Sequence, residues 1–157
     1  MSGGAEEEKE FQAADVRRAA MNLLARREYA RRELAARLAA RGMPDKMIDQ
    51  TLDALGRENL QSDDRFAEAF VNARAGRGHG PVRIRIELEQ KGVDGETIER
   101  VLTDAEVDWQ ALAMDVRRKR FGPSPPGSFK ERARQARFLQ YRGFASEHVG
   151  RALAGED

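Results

Sequence analysis

One pattern recurs three times along this 157-residue chain: Leu, three residues, Gly, five residues, Ile or Val, three residues, Leu. The copies are Leu38, Gly42, Ile48, Leu52; then Leu88, Gly92, Ile98, Leu102; then Leu139, Gly143, Val149, Leu153. An internal period of this length restricts a chain to stacked supersecondary units. Each copy also has Arg or Lys before the glycine (Arg41, Lys91, Arg142) and an apolar residue after it (Met43, Val93, Phe144). That is the signature of a helix ending in a left-handed glycine, a turn, and a second helix. The basic residue faces the negative end of the helix dipole. The apolar pairs four residues apart bury one face of the second helix.

A third helix precedes each copy. The first covers about 12–27, with Val16, Ala19, Ala20, Leu23 and Leu24 on one stripe. The second covers about 63–75, with Phe66, Ala69, Phe70 and Ala73. The third covers about 108–120, with Trp109, Leu112, Ala113 and Val116. Ser62 or Asp63, and Asp108, are suited to cap the last two. Pro81 suits a first helical turn. No segment alternates as a strand does. The expected class is therefore all-α, with nine helices in three tandem three-helix, helix-turn-helix-like repeats over 12–58, 59–106 and 107–154. Residues 1–11 and 155–157 are expected to be disordered tails.

The absence of cysteine excludes disulfides and thiolate metal sites and is compatible with a reducing cytoplasm. No stretch reads as a signal peptide or a membrane span. Charge is unevenly distributed. Residues 17–41 hold eight arginines against Glu28 and Glu33, a net +6, and residues 111–145 hold nine cations against Asp115 and Glu131, a net +7. Few of these arginines have an acid four positions away. Such segregation points to an anionic partner, nucleic acid or an acidic protein face. The glycine-rich stretch 76–81 lacks the residues of a phosphate loop and reads as an inter-helix turn. Neither histidine has zinc-site spacing, and no nucleophile has a recognisable setting, so no catalytic, metal or cofactor site is expected. Tyr29 and Tyr141, each beside an arginine, are the residues most suited to stack on a base.

Five stretches, 24–34 (LARREYARREL), 64–71 (DRFAEAFV), 77–84 (RGHGPVRI), 87–93 (ELEQKGV) and 137–144 (RFLQYRGF), resemble the RecX family of bacterial regulatory proteins. The resemblance runs over about 13–154. It implies an elongated, curved array of three-helix repeats that binds in the groove of the RecA filament on single-stranded DNA. It further implies suppression of RecA's ATP hydrolysis, strand exchange and co-protease activity, and so a part in recombination, repair and the SOS response. Such a protein is cytoplasmic and without cofactor. Apart from the resemblance, this chain is expected to be a monomer and, because the helices that would enter a groove are acid-rich, to bind DNA alone only weakly and non-specifically. The family often has Ser or Thr where this chain has Ala30 and Ala145, so those helix starts are expected to lack a cap and fray. Candidate partner contacts are Arg26, Arg27, Arg31, Arg32 and Arg37; Arg74, Arg77, Arg83 and Arg85; and Arg117, Arg118, Arg120, Lys130, Arg132, Arg134, Arg137 and Arg142. A stand-alone DNA-binding protein is the alternative, disfavoured by Asp45, Asp49 and Asp53 on the helix that would enter a groove.

Overall fold

The structure, a computed structural model, describes residues 10–155. Among them are nine α-helices and no strand: α1 (Ala13–Leu24), α2 (Arg31–Ala40), α3 (Asp45–Arg57), α4 (Asp63–Gly76), α5 (Pro81–Gln90), α6 (Gly95–Asp104), α7 (Trp109–Phe121), α8 (Phe129–Tyr141) and α9 (Ser146–Ala154). They form the three consecutive sets of three that the repeat requires. The terminal tails lie largely outside the described residues, but Phe11 packs against the first core and Gly155 closes α9 in a left-handed conformation.

The three repeat glycines are the turns. Gly42, Gly92 and Gly143 have φ of 87°, 81° and 94°. In each, the glycine N–H donates to the carbonyl three residues back. The next N–H reaches the repeat leucine's carbonyl: Met43 to Leu38, Val93 to Leu88, Phe144 to Leu139. These are complete Schellman closures, and they satisfy carbonyls that a helix end leaves orphaned. The same closure ends α3 at Asn59 (φ 58°) and α4 at Gly78 (φ 80°).

At the helix starts, Ser62 and Asp108 accept from Arg65 N–H and Ala111 N–H as expected, and Pro81 opens α5. The start of α2 does not fray for want of a cap. Asp63 accepts the Arg31 N–H at 2.8 Å, and the Gln61 amide donates to the Tyr29 carbonyl at 3.1 Å. A carboxylate at the first position of α4 thus does what a local hydroxyl would do.

The helices divide into two compact units, one ending at Phe66 and the other beginning at Ala67, within α4. In the first, Val16, Ala19, Ala20, Leu23, Leu34, Leu38, Ile48, Leu52 and Leu55 form the core. In the second, α7, α8 and α9 enclose Ala113, Met114, Val116, Leu139, Phe144, Val149, Ala152 and Leu153. α5 packs on α6, burying Ile84, Leu88, Ile98 and Leu102. The buried face of α4 differs from the expected stripe. Ala69 and Ala73 are exposed, and the helix buries Phe66, Ala67, Phe70, Val71 and Ala75.

The second and third helix sets share one unit because their backbones touch. The N–H groups of Gly80 and Val82, at the start of α5, donate to the carbonyls of Arg142 and Gly143, at the end of α8, at 2.8 and 2.9 Å. A Cβ on Gly80 would lie 2.6 Å from Phe144 N; one on Gly143 would overlap Arg83 Cβ and lie 2.8 Å from its nitrogen. Gly42, by contrast, has only Phe11 nearby, at 3.9 Å. Gly42→Ala is therefore expected to cost about 1–2 kcal/mol, the left-handed penalty alone. Gly143→Ala carries that penalty plus about 1–3 kcal/mol of overpacking. Urea unfolding of the two variants measures the difference, and equal costs would refute the close approach of the two backbones.

Candidate functional site

The candidate cations have three different fates. Several are neutralised by carboxylates that are remote in sequence. Arg31 pairs with Asp53 at 2.7 Å, and Arg27 with Glu33 at 3.1 Å while lying 3.6 Å from the Tyr29 ring centre. Arg74 and Arg83 share Glu87 at 2.9 and 2.8 Å, and Arg85 meets Glu99 at 2.6 Å. Partial burial works to raise the Glu87 carboxyl, but hydrogen bonds from both arginines outweigh it and hold it below the usual carboxylate range. Arg134 pairs with Glu131 on its own helix. A search four positions along the sequence misses most of these, because their partners lie 6 to 22 residues away; Arg83–Glu87 and Arg134–Glu131, four and three apart, are the exceptions.

Arg117 is a correction to the surface expectation. It is 1 % exposed, and its guanidinium donates to the carbonyls of Ser124 and Pro123 and to the Gln135 side chain. It anchors the proline-rich connector between α7 and α8. The sequence Arg117-Arg118-Lys119-Arg120 gives no sign which of the four turns inward.

The remaining candidates face solvent. In the first unit Arg26, Arg32 and Arg37 are exposed, Arg37 lying 5.7 Å from the Tyr29 ring centre. In the second, Lys130, Arg132 and Arg137 line α8, and among the described residues no carboxylate pairs with them. Arg118 is exposed too and has interactions of its own. Arg77, Arg120 and Arg142 converge with Lys119 on a cleft of about 300 Å3 floored by Leu112, Val116 and Phe138. The guanidinium carbons of Arg142 and Arg120 lie 5.1 and 5.5 Å from the Phe138 ring centre. Asp115, the acid of this cleft, is held by Lys119 at 2.9 Å. Such an arrangement has the charge and the forked donors that contacts to phosphate or carboxylate require.

The two tyrosines part company. Tyr29 is 4 % exposed and belongs to the first core, while Tyr141 is 76 % exposed. An adjacent arginine does not separate them. Nor does it point to Phe129, at 87 % the most exposed large apolar side chain.

His79 lies under this cationic region. Burial lowers its pKa, the charges of Arg83, Arg142 and Arg74 lower it further, and Glu87 opposes them. Its Nδ1 is buried and makes no hydrogen bond among the described residues. No group of metal-binding side chains occurs among the described residues, and no helix there is long and apolar enough to cross a membrane.

Comparison with known proteins covers nearly the whole chain. Residues 17–55, 62–102 and 106–153 match the first, second and third three-helix domains of RecX. The chain is 52 % identical to the regulatory protein RecX of Halorhodospira halophila over 90 % of its own length and 88 % of that protein's. It is 47 % identical to the RecX of Pseudomonas entomophila over 90 % and 92 %. A crystal structure of RecX from Lactobacillus salivarius superimposes with a TM-score of 0.76 at 18 % identity, covering 90 % of this chain and 94 % of that one. A second RecX crystal structure gives 0.74 at 22 % identity, covering 92 % and 74 %. These two share the fold.

Two outcomes follow from the buried polar groups. Arg117→Ala is expected to cost about 2–4 kcal/mol, from the cavity and the missing loop bonds. Arg117→Lys should recover little, because an ammonium holds its donors on one nitrogen and cannot span the oxygens that two guanidinium nitrogens reach; urea midpoints test both. His79 has a folded pKa below its ordinary value near 6.5, so the unfolded chain protonates first. Its contribution to stability is complete above that value and falls as pH drops below it. His79→Gln should therefore narrow the gap in stability between neutral and mildly acidic buffer, and an unchanged gap would refute the assignment.

Proposed function

The chain belongs to the RecX family of regulatory proteins, and on that premise we propose that it binds in the groove of the RecA filament on single-stranded DNA and suppresses RecA activity. The activities affected are ATP hydrolysis, strand exchange and co-protease function, and the setting is cytoplasmic recombination, repair and the SOS response. The observation that carries this reading is the extent of the likeness: about half of the residues agree with a regulatory protein RecX across nearly the full length of both chains. The three repeats, 12–58, 59–106 and 107–154, act as successive binding modules. The protein works as a monomer, by contact rather than catalysis, with no cofactor and with no part for a membrane.

The surface supports the same reading. The solvent-facing cations of α8, the cationic cleft of the second unit, and Arg26, Arg32 and Arg37 of the first unit offer many separate contacts to phosphates or acidic protein faces. Affinity then rests on their sum, and single Arg→Ala changes are mild. A stand-alone sequence-specific DNA-binding role fits less well. The second helix of the first turn motif, α3, exposes Asp45, Asp49 and Asp53, which phosphates repel. DNA binding by the protein alone is expected in the weak, salt-sensitive range of about 10⁻⁴–10⁻⁶ M.

The triple variant Arg132→Glu/Arg134→Glu/Arg137→Glu should remain helical by circular dichroism. It should need at least about tenfold more protein to suppress RecA ATP hydrolysis. Suppression at the wild-type concentration would remove α8 from the contact surface.

A further inference from the structure

Two features of α8 are left unexplained by packing: a ring exposed at each end and a charge excess between them. Phe129 and Tyr141 are the first and last residues of the helix and are 87 % and 76 % exposed. Positions 129, 133, 137 and 141 recur every four residues and form a ridge that winds about 120° around the solvent side of the helix from one ring to the other. Twelve residues at the helical rise place the two rings roughly 18 Å apart. Ala133, small, and Arg137, exposed, lie between them, with Lys130 beside Phe129. The helix carries four cations and one acid, Glu131. That acid faces away from the ridge, bonded to Arg134 and to the buried Gln135. Arg83 lies 5.7 Å from the Tyr141 ring centre, yet the ring stays mostly open to solvent. Neither ring belongs to the core of its unit.

We infer that this ridge of α8 holds single-stranded nucleic acid directly, with Phe129 and Tyr141 stacking on unpaired bases and Lys130 and Arg137 meeting the phosphates between them. Two rings with cations between them on a winding, solvent-facing ridge are the layout that sequence-tolerant strand binding needs, because every base has a π-face and every linkage a charge. Duplex DNA fits poorly, since its bases are already stacked. An acidic protein face would pair with the cations but would leave both rings without a partner. The inference deepens the filament reading above by assigning one surface to the strand instead of to RecA.

The test uses the full-length protein without RecA, titrated into fluorescein-labelled oligothymidylate and followed by anisotropy at low and moderate salt. Phe129→Ala/Tyr141→Ala is expected to weaken binding at least about tenfold, while its melting temperature stays unchanged because both rings are exposed. Phe129→Trp/Tyr141→Trp should restore binding. Phe129→Leu/Tyr141→Leu, which keeps apolar area without a π-face, should not. Lys130→Ala/Arg137→Ala should flatten the slope of log affinity on log salt by about 1.4, that is about 0.7 for each phosphate no longer neutralised. The inference is overturned if the wild type does not bind the oligonucleotide at low salt, if the Ala or Leu ring variants bind like the wild type, or if duplex binding depends equally on the rings. It is also overturned if the rings govern self-association in sedimentation and not strand binding. A parallel RecA ATPase assay separates the two readings. Ring variants that lose suppression but keep oligonucleotide binding would assign the ridge to protein and leave the filament reading standing. Ring-dependent oligonucleotide binding with no suppression by the wild type would do the reverse.

Discussion

Where the end of α8 meets the start of α5, two helix termini settle each other's debts in hydrogen bonds. The first amides of α5 have no carbonyl behind them, and the carbonyls of Arg142 and Gly143, just past the closed end of α8, have no helical amide ahead. Gly80 and Val82 donate; Arg142 and Gly143 accept. The positive end of one helix dipole also lies against the negative end of another. Such an approach needs bare backbone on both sides, so neither glycine can carry a Cβ. Everything placed around the cationic cleft depends on it. The Arg142 guanidinium bonds to the Arg77 carbonyl across the same junction, at 3.1 Å, and His79 lies just before it.

The middle helix of each set begins in a different way. α2 borrows Asp63 from the start of α4 and Gln61 from the loop before it, α5 uses the backbone of the α8–α9 turn, and α8 uses its own Ser128, which accepts from Glu131 N–H. The ends of these helices, by contrast, are alike. A Schellman closure is local: one glycine and its two flanking residues specify it. A helix start can be satisfied from anywhere in the fold, so the repeats keep the stop signal and vary the start.

That difference also explains what could be read in the sequence. The turn glycines, the apolar pairs and the caps at Ser62 and Asp108 are near-neighbour effects and stood where the pattern put them. The stripe of α4 did not, because alanines occur on both sides of Phe66 and Phe70, and only tertiary packing decides which are covered. Tyr29 and Tyr141 have similar neighbours and opposite burial. The arginines were the least legible. Most of their partners lie beyond one helical turn, as in Arg85–Glu99 or the shared Glu87. The exposed cations of α8 and the cleft are the remainder after this long-range pairing.

The proline-rich connector has an unusual anchor. Three of its residues, Pro123, Pro125 and Pro126, have no amide hydrogen to offer. Two of its carbonyls are instead gripped by Arg117, whose other partner is the neutral oxygen of Gln135. None of the three oxygens that accept from Arg117 belongs to a carboxylate. Ties such as Arg17–Glu58 and Arg85–Glu99, whose carboxyls are held low by their arginines, dissolve once acidification goes far enough. The leash on the connector has no carboxylate among its acceptors, so the stretch between two basic helices is fastened to neutral oxygens and not by an ion pair.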